Sequence, residues 1–513
     1  MPIDQKRIAK NTLLLYIRMG LIMLISLYTS RVILDALGEV DMGIYSTVAG
    51  IVMMFTFLSN TMSTACQRFY AYEMGRDDSE GLNRVFSFCV IVFCALSLLI
   101  VVLCETVGLW LLYQKINTDG RMDAALWVFH CAVLSFVFTI IRMPYQGMVI
   151  IKEKMKVFAY ISIFEALGNL AIAFLIAGTS HDRLILYGIL MMLVNVGVSL
   201  YYVCYCVHFY PECRFRFVHG KHQFKEIFSF AGWNMIGSLA NVCKSQGITI
   251  LLNMFFGNAV VAARTMAYKV FSTLQQFADN FTTAIKPQIM KSYAAGDKEG
   301  MFKLVFQGSK FSFYLLFVLS LPILLETPFL LDFWLKDVPA YTVPFTRLVI
   351  VNALIDVFAY PLAVAIQADG RIRNYQLITG GLLLLILPVS YILLKVVPGV
   401  PPQLIFWTSI VVCFFALFVR VILVHRCTGM PVGGWLRMVL LPVFIVAIVS
   451  SVVPVVLEAC MDASVVRFIV VILASILMVL LSSYCLGLTT TERKHIREMV
   501  TTYTRRLFSK NQE

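Results

Sequence analysis

Fourteen long apolar segments constrain this chain more than any other feature of its sequence. A helix needs about 20 mostly apolar residues to cross the hydrocarbon core of a bilayer, and each segment meets that length. Of the 513 residues, 60% are hydrophobic and 14% are charged, whereas soluble domains have about 45–50% and about 25%. The sequence therefore predicts an all-α polytopic membrane protein. The predicted spans are 11–34, 42–66, 85–112, 123–148, 157–179, 184–209, 226–254, 260–288, 304–331, 343–368, 375–397, 403–425, 434–456 and 465–486.

Lysine and arginine are distributed unevenly between alternate connections. One set of connections carries 26 of them and the other set carries 5. Because such residues are retained on the cytoplasmic side, both termini are predicted to be cytoplasmic, which an even number of spans requires. The basic residues lie mostly in short connections between spans. This pattern favours membrane orientation over nucleic-acid binding as the reason for the net charge of +13.

A shift of 219 residues overlays the second span on the eighth. Gly38 then falls on Gly257, and the pair Glu80-Gly81 falls on Glu299-Gly300. Six spans, an even number, separate the copies, so the repeats run parallel and are related by an axis along the membrane normal. The prediction is two six-helix lobes followed by two C-terminal helices. The predicted divisions are an N-lobe over 1–210, a cytoplasmic linker over 211–225, a C-lobe over 226–426, two further spans over 434–486 and a basic cytoplasmic tail over 487–513.

The seventh span carries a polar stripe. At about 100° per residue, Asn234, Asn241 and three hydroxyl residues between 238 and 249 fall within about 80° of one another. Lys244 lies at the flank of this stripe. A charge at the bilayer centre costs at least about 2.5–3.5 kcal/mol, so the stripe is expected to face other helices or water. We interpret it as the lining of a polar cavity that forms the functional site.

Other basic residues lie well inside the spans, and each is a functional candidate because embedded charge is costly. Arg18 has polar neighbours on its own helix face, so cavity lining is its expected role. Arg31 lies on another face, four residues before Asp35, and a local ion pair is expected there. Arg264 and Lys269 are about 140° apart on one helix and cannot both face one narrow stripe, so one of them is expected to be structural.

Three embedded carboxylates are candidates for coupling transport to H⁺ or Na⁺, and no other cofactor and no metal site is predicted. Glu165 and Asp356 lie near the middle of spans five and ten, and the alternative is that each neutralises a nearby arginine. Asp279 overlays Asn60 under the repeat shift, and each belongs to a polar stripe on the second helix of its lobe. Helix packing through polar contacts is the alternative role for these stripes.

Two stretches resemble a known family. They are KNTLLLYIRM (10–19) with YTSRVILDALGEVDMGIY (28–45), and MSTACQRFYAYEMG (62–75). With fourteen spans in two lobes, the chain resembles the polysaccharide-transporter branch of the multidrug/oligosaccharidyl-lipid/polysaccharide exporter superfamily, the Wzx-type O-antigen and capsule flippases. The resemblance implies a V-shaped bundle in the bacterial inner membrane that moves undecaprenyl-pyrophosphate-linked oligosaccharide by alternating access. It also implies a cavity with basic residues, a role that Arg18 and Lys244 fit by location.

The leading hypothesis is therefore a lipid-linked oligosaccharide flippase for lipopolysaccharide, capsule or another surface polysaccharide. Its partners would be the lipid-linked substrate, membrane lipids and a polysaccharide polymerase or other assembly machinery, without nucleic acid. Arg18 and Lys244 would contact the anionic head. The other predicted cavity residues are Asn234, Asn241, Asn60, Asp279, Arg264 and Lys269.

Two other classes of protein are alternatives to a flippase. A cation-coupled multidrug exporter of the related branch is the first, but such a pump is expected to have a net acidic cavity. Here the embedded candidates divide into five basic and three acidic residues. A membrane enzyme is disfavoured because no external connection exceeds about 12 residues, which leaves no room for a catalytic domain.

Overall fold

The computed structural model of this chain is helical. It describes residues 5–75, 78–152, 154–179, 181–216, 222–369, 371–494 and 497. Side chains of residues 5–19, 155 and 222–236, and of scattered positions over 60–75 and 277–294, are outside this description. No strand occurs in the described ranges. The all-α prediction is confirmed, and its physical reason is that a helix satisfies its own backbone hydrogen bonds in lipid.

Nineteen α-helices make up most of the described chain. The first ten are α1 (Gln5–Met53), α2 (Thr56–Gly75), α3 (Ser79–Leu103), α4 (Leu109–Lys115), α5 (Met122–Ile151), α6 (Met155–Ala177), α7 (Arg183–Phe209), α8 (His222–Phe256), α9 (Asn258–Ala294) and α10 (Lys298–Leu325). The others are α11 (Thr327–Trp334), α12 (Thr342–Asp356), α13 (Ala359–Asp369), α14 (Ile372–Leu384), α15 (Ile386–Val396), α16 (Leu404–Thr428), α17 (Val432–Trp435), α18 (Leu441–Cys460) and α19 (Val465–Ser482).

Eleven helical runs among the described residues are long and apolar enough to cross a membrane. Several of them combine consecutive helices, such as α12 with α13 and α14 with α15. With α2, α8 and α9, which carry the predicted polar stripes, they make fourteen long helical runs. The prediction of a polytopic protein with about fourteen membrane helices is confirmed. The boundaries differ at the second predicted span, which is divided between α1 and α2.

Two glycines with positive φ occupy equivalent places in the repeat. Gly38 interrupts α1 with φ 75° and ψ 175°, and Gly257 separates α8 from α9 with φ 84°. The same 219-residue shift relates two helix starts, where Asp78 accepts a hydrogen bond from the Gly81 amide and Asp297 from the Gly300 amide, each at 2.8 Å. The repeat detected in the sequence therefore has the same local geometry in both copies.

The substitution Gly38→Ala is expected to destabilise the protein by about 1–3 kcal/mol, because the backbone conformation of Gly38 is accessible almost only to glycine. No atom lies within 4 Å of a Cβ added at Gly38, so the cost is backbone strain rather than a clash. Thermal unfolding of the purified protein in detergent measures it. Gly20→Ala is the matched control, because Gly20 is helical and its added Cβ also meets nothing within 4 Å. Equal Tm values for the two variants would contradict the prediction.

The described helices group into two compact units. Unit 1 comprises Met1–Lys269, Trp334–Phe345 and Gln376–Val412, and unit 2 comprises Val270–Phe333, Thr346–Tyr375 and Cys413–Glu513. The core of unit 1 includes the fully buried Phe86 and Phe129, and the core of unit 2 includes Trp435. Each unit has its own apolar core. The predicted lobes over 1–210 and 226–426 stay a prediction.

Polar contacts join the ends of several helices at the end of unit 1 that is predicted to be external. The side-chain amide of Asn253 donates to the Asn117 carbonyl at 3.2 Å and to Asn258 Oδ1 at 2.7 Å. Its Oδ1 accepts from the backbone amide of Asn117 at 2.8 Å.

Arg121 contacts both Asp41 and Asp182. Burial alone would raise the pKa of Asp182, but hydrogen bonds from Arg121 and from two amides of α7 lower it below its ordinary value.

The prediction of a local ion pair between Arg31 and Asp35 is wrong for the described residues. Asp35 is paired instead with Lys336, whose Nζ lies 3.2 Å from Asp35 Oδ1. In a helix, an acidic residue four positions after a basic one is the less favourable order of the two. A lysine from a distant connection therefore competes successfully for this carboxylate.

Candidate functional site

Unit 1 contains a cavity of about 390 Å³, which we call the α1–α6 cavity. Its polar lining comes from Ser26, Thr29 and Ser30 of α1, from Ser162, Glu165 and Asn169 of α6, and from Thr265 and Lys269 of α9. Pockets that bind small molecules have volumes of about 300–1,000 Å³, so the cavity falls within that range. The arrangement brings two predicted site residues, Glu165 and Lys269, to the same cavity.

The α1 wall presents hydroxyl oxygens because Ser26, Thr29 and Ser30 are spaced three and four residues apart and share one helix face. Thr29 Oγ1 donates to the Ile25 carbonyl at 2.7 Å, and Ser30 Oγ donates to the Ser26 carbonyl at 2.9 Å. A hydroxyl has one donor and two acceptor lone pairs, so these two groups keep acceptor capacity for a ligand.

The α6 wall carries a carboxylate and an amide. Glu165 Oε1 lies 3.6 Å from Nη2 of Arg142, a residue of α5. Asn169 Oδ1 is buried and has no hydrogen-bond partner in the described structure. A buried acceptor without a partner is costly, so this amide oxygen is a candidate to receive a donor from a ligand. The contact of Glu165 with an arginine matches one of its two predicted roles, and ion coupling by Glu165 stays a prediction.

Lys269 and Arg264 occupy different environments, as their angular separation predicts. Lys269 is partly buried and lines the α1–α6 cavity. Arg264 is buried: its Nη2 donates to the Ser245 carbonyl at 2.7 Å, and its guanidinium lies 4.1 Å from the centre of the Tyr268 ring. Arg264 therefore joins α8 to α9 by packing, which matches the structural role expected for one of the two.

The predicted stripe on α8 is only partly described. Lys244 is 8% exposed, so its side chain is buried in protein, and it is not among the residues that line the α1–α6 cavity. Asn241 is exposed and its amide donates to the Gly237 carbonyl at 3.0 Å. Four other predicted site residues have side chains outside the described structure, and their roles stay predictions: Arg18, Asn60, Asn234 and Asp279.

Two arginines that lie beside predicted carboxylates were not among the site residues predicted from the sequence. Arg142 is the partner of Glu165, and Arg420 Nη1 lies 2.9 Å from Asp356 Oδ1 in unit 2. Arg142 also lines a second cavity of about 280 Å³, and its Nε and Nη1 are buried without hydrogen-bond partners in the described structure. Both arginines lie inside predicted spans. The cost of embedded charge is therefore the sequence signal that could have identified them.

The α1–α6 cavity is suited to solvating a polar group. Transferring a polar group from water without new hydrogen bonds costs roughly 2–7 kcal/mol. Lys269 supplies ammonium donors, while the hydroxyls of α1 and the Asn169 oxygen supply acceptors. The cavity therefore offers partners of both kinds to a ligand that carries negative charge and hydroxyl groups.

Comparison with known proteins relates this chain to one family and one fold. The family described as polysaccharide biosynthesis protein matches residues 8–292. The structure of the Lipid II flippase MurJ in an inward closed conformation covers 93% of this chain and 98% of its own, with a TM-score of 0.68 and 11% identity. The MATE multidrug transporter DinF-BH, in a ligand complex, covers 83% of this chain and 96% of its own, with a TM-score of 0.61 and 15% identity.

A third similar structure is a MOP superfamily transporter from Pyrococcus furiosus. It covers 83% of this chain and 96% of its own, with a TM-score of 0.55 and 14% identity. No curated protein sequence matches the chain. At these identities the structural likeness establishes that this chain shares its fold with these three proteins.

Proposed function

Because the chain belongs to the polysaccharide biosynthesis protein family, we propose that it is a flippase that moves a lipid-linked oligosaccharide across a membrane. The cargo we propose is an undecaprenyl-pyrophosphate-linked oligosaccharide destined for O-antigen, capsule or another surface polysaccharide. The membrane is the bacterial inner membrane, with both chain termini in the cytoplasm. A polysaccharide polymerase or related assembly machinery would receive the product.

The single observation that carries this proposal is the α1–α6 cavity, where Lys269 shares a lining with hydroxyl and amide groups and where the carboxylate of Glu165 faces Arg142. The head of such a cargo combines a diphosphate with sugar hydroxyls, and its polyprenyl tail is apolar. Moving this head unaided through hydrocarbon would remove its water at a prohibitive cost. A cavity with a cation and several hydrogen-bonding groups replaces that water, while the tail stays in lipid.

We assign Lys269 to the diphosphate, because an ammonium group pairs with phosphate oxygens through charge-assisted hydrogen bonds. The hydroxyls of α1 and the Asn169 oxygen are assigned to the sugar. Lys244 and Arg18 remain proposed contacts for the anionic head. Asn60, Asn234, Asn241 and Asp279 remain the proposed lining of the path, and Arg264 supports it by holding α8 against α9.

The cavity volume supports transport by opening and closing rather than passage through a fixed pore. The α1–α6 cavity has a volume of about 390 Å³, which is near the lower end of the range for small-molecule pockets. An oligosaccharide with a diphosphate is larger than this volume. We therefore propose that the cavity enlarges during the cycle, as alternating access requires.

Ion coupling is assigned to the embedded carboxylates. Glu165 lies beside Arg142, and Asp356 lies beside Arg420. Protonation of either carboxylate would remove its charge and release the arginine to another partner. We propose H⁺ or Na⁺ as the coupling ion, with Asp279 as a third candidate.

A deletion strain tests the proposed cargo. We expect loss of the surface polysaccharide and accumulation of its lipid-linked precursor, because glycan assembly continues while its transport stops. Gel analysis of surface glycan and extraction of lipid-linked saccharides measure the two quantities, and complementation with the wild-type chain is the control. Increased susceptibility of the deletion strain to drugs, with unchanged surface glycan, would contradict the proposal and favour a cation-coupled multidrug exporter.

A further inference from the structure

An open groove of about 730 Å³ lies beside the C-terminal end of α7, away from the α1–α6 cavity. We call it the α7 groove. Aromatic side chains line its length: Tyr201 stacks on Tyr205 with ring centres 6.3 Å apart, and Tyr205 contacts Phe209 with ring centres 4.7 Å apart. Tyr201 and Phe209 are exposed. The groove therefore offers an apolar surface to whatever surrounds the helix.

One end of the α7 groove carries basic groups. Arg214 and His208 belong to its lining, and no carboxylate does among the described residues. The guanidinium of Arg214 has no hydrogen-bond or ion-pair partner in the part of the chain that the structure describes, and the residue is exposed. The distribution of lysine and arginine assigns this end of α7 to the cytoplasm. A cation thus lies beside an aromatic surface at the predicted depth of the lipid headgroups.

Three hydrogen bonds to two residues of α3 hold the backbone that carries Arg214. The buried Asn83 amide donates to the carbonyls of Glu212 at 2.8 Å and of Arg214 at 2.7 Å. The Arg216 amide donates to Ser87 Oγ at 3.0 Å. These contacts fix the path of the chain without using the side chain of Arg214.

The carboxylate of Glu212, two residues before Arg214, is already neutralised. Lys152 Nζ lies 2.8 Å from Glu212 Oε1. Burial alone would raise the pKa of Glu212, but the hydrogen bond from Lys152 lowers it below its ordinary value. Glu212 is therefore engaged by Lys152, and the positive charge of Arg214 is left for a ligand.

We propose that the α7 groove binds an anionic phospholipid of the cytoplasmic leaflet. Arg214 pairs with the headgroup phosphate, and an acyl chain lies along Tyr201, Tyr205 and Phe209. Charge complementarity selects this occupant, because basic pockets on the cytoplasmic side of membrane proteins recognise anionic headgroups. Aromatic side chains are also enriched at the interface, where one end of the ring is apolar and the other is wet. This site is separate from the cavity assigned to the transported cargo.

Native mass spectrometry of the purified full-length protein tests the proposal. Phosphatidylglycerol and phosphatidylcholine are added in equal amounts, and the retained lipid is counted. We expect wild-type protein to retain phosphatidylglycerol preferentially, and Arg214→Gln to lower that preference about ten-fold because a charged hydrogen bond is lost. Arg214 is exposed, its guanidinium has no partner in the described structure, and only its backbone is hydrogen-bonded, so we expect the substitution to leave the fold intact.

Arg216→Gln is the matched control. It removes the same charge from a residue that lies two positions after Arg214 and does not line the groove. We expect it to keep the preference. An equal loss of preference in both variants would indicate that diffuse surface charge, and not a defined site, binds the lipid. That result would overturn the proposal. Equal retention of the two lipids by wild-type protein would also overturn it. Competition by undecaprenyl diphosphate but not by phosphatidylglycerol would identify the groove as a substrate site instead.

Discussion

Replacing Lys269 with glutamine is expected to reduce export of surface glycan at least ten-fold. Lys269 lines the α1–α6 cavity, where it is the one ammonium group among the described lining residues. A hydrogen bond to a charged group contributes about 1.5–3 kcal/mol, and each 1.4 kcal/mol corresponds to about a factor of ten. Glutamine keeps a hydrogen-bonding side chain and removes the charge. Surface glycan per molecule of inserted protein, in a deletion strain, is the measurement.

Two further variants sharpen this experiment. Lys269→Arg keeps the positive charge, and we expect it to retain part of the export. Lys395→Gln is the same substitution at an exposed lysine of α15 that does not line the cavity, and we expect wild-type export from it. Wild-type export from correctly inserted Lys269→Gln protein would remove the role assigned to this residue, while the fold and the family would stand.

Lys310→Met is expected to destabilise unit 2 by about 3–5 kcal/mol, because it leaves a buried charge without its partner. Lys310 Nζ lies 2.8 Å from Glu492 Oε2 and 3.4 Å from the Gly487 carbonyl. Their side chains are only 2% and 6% exposed. The pair joins α10 to the segment that follows α19. Thermal or chemical unfolding in detergent measures the loss.

The double variant Lys310→Met/Glu492→Leu separates the charge effect from packing. Replacing both members of a buried ion pair with apolar residues is often neutral or stabilising, so we expect the double variant to recover most of the lost stability. A double variant as unstable as Lys310→Met would show that packing, rather than an unpaired carboxylate, causes the loss. An unchanged Tm in Lys310→Met itself would contradict the prediction.

The same pair has a pH dependence with a definite sign. Burial alone would raise the pKa of Glu492, but hydrogen bonds from Lys310 and from the Thr489 amide lower it below its ordinary value. A carboxyl group with a lowered pKa in the folded protein contributes stability above its unfolded pKa, and the contribution is lost as the pH falls through the folded pKa. Lys310→Met should therefore weaken the loss of stability in acid.

The helices, their approximate number and the repeat were all accessible from the sequence. A span of about 20 apolar residues has one stable conformation in lipid, since only a helix satisfies its own backbone there. Gly38 and Gly257 were aligned by a simple shift, and both adopt the positive φ that glycine permits. These features depend on residues that are neighbours in the chain, so the sequence alone determined them.

The partners of the embedded charges were decided only by the tertiary structure. Helical periodicity gave the angle between Arg264 and Lys269, but packing decided that Lys269 lines a cavity and that Arg264 contacts the Ser245 carbonyl. Asp35 is paired with Lys336, far away in the chain, rather than with Arg31 four residues before it. The physical reason is that periodicity assigns a side chain to a face of its own helix, whereas an ion pair depends on which other helix that face meets.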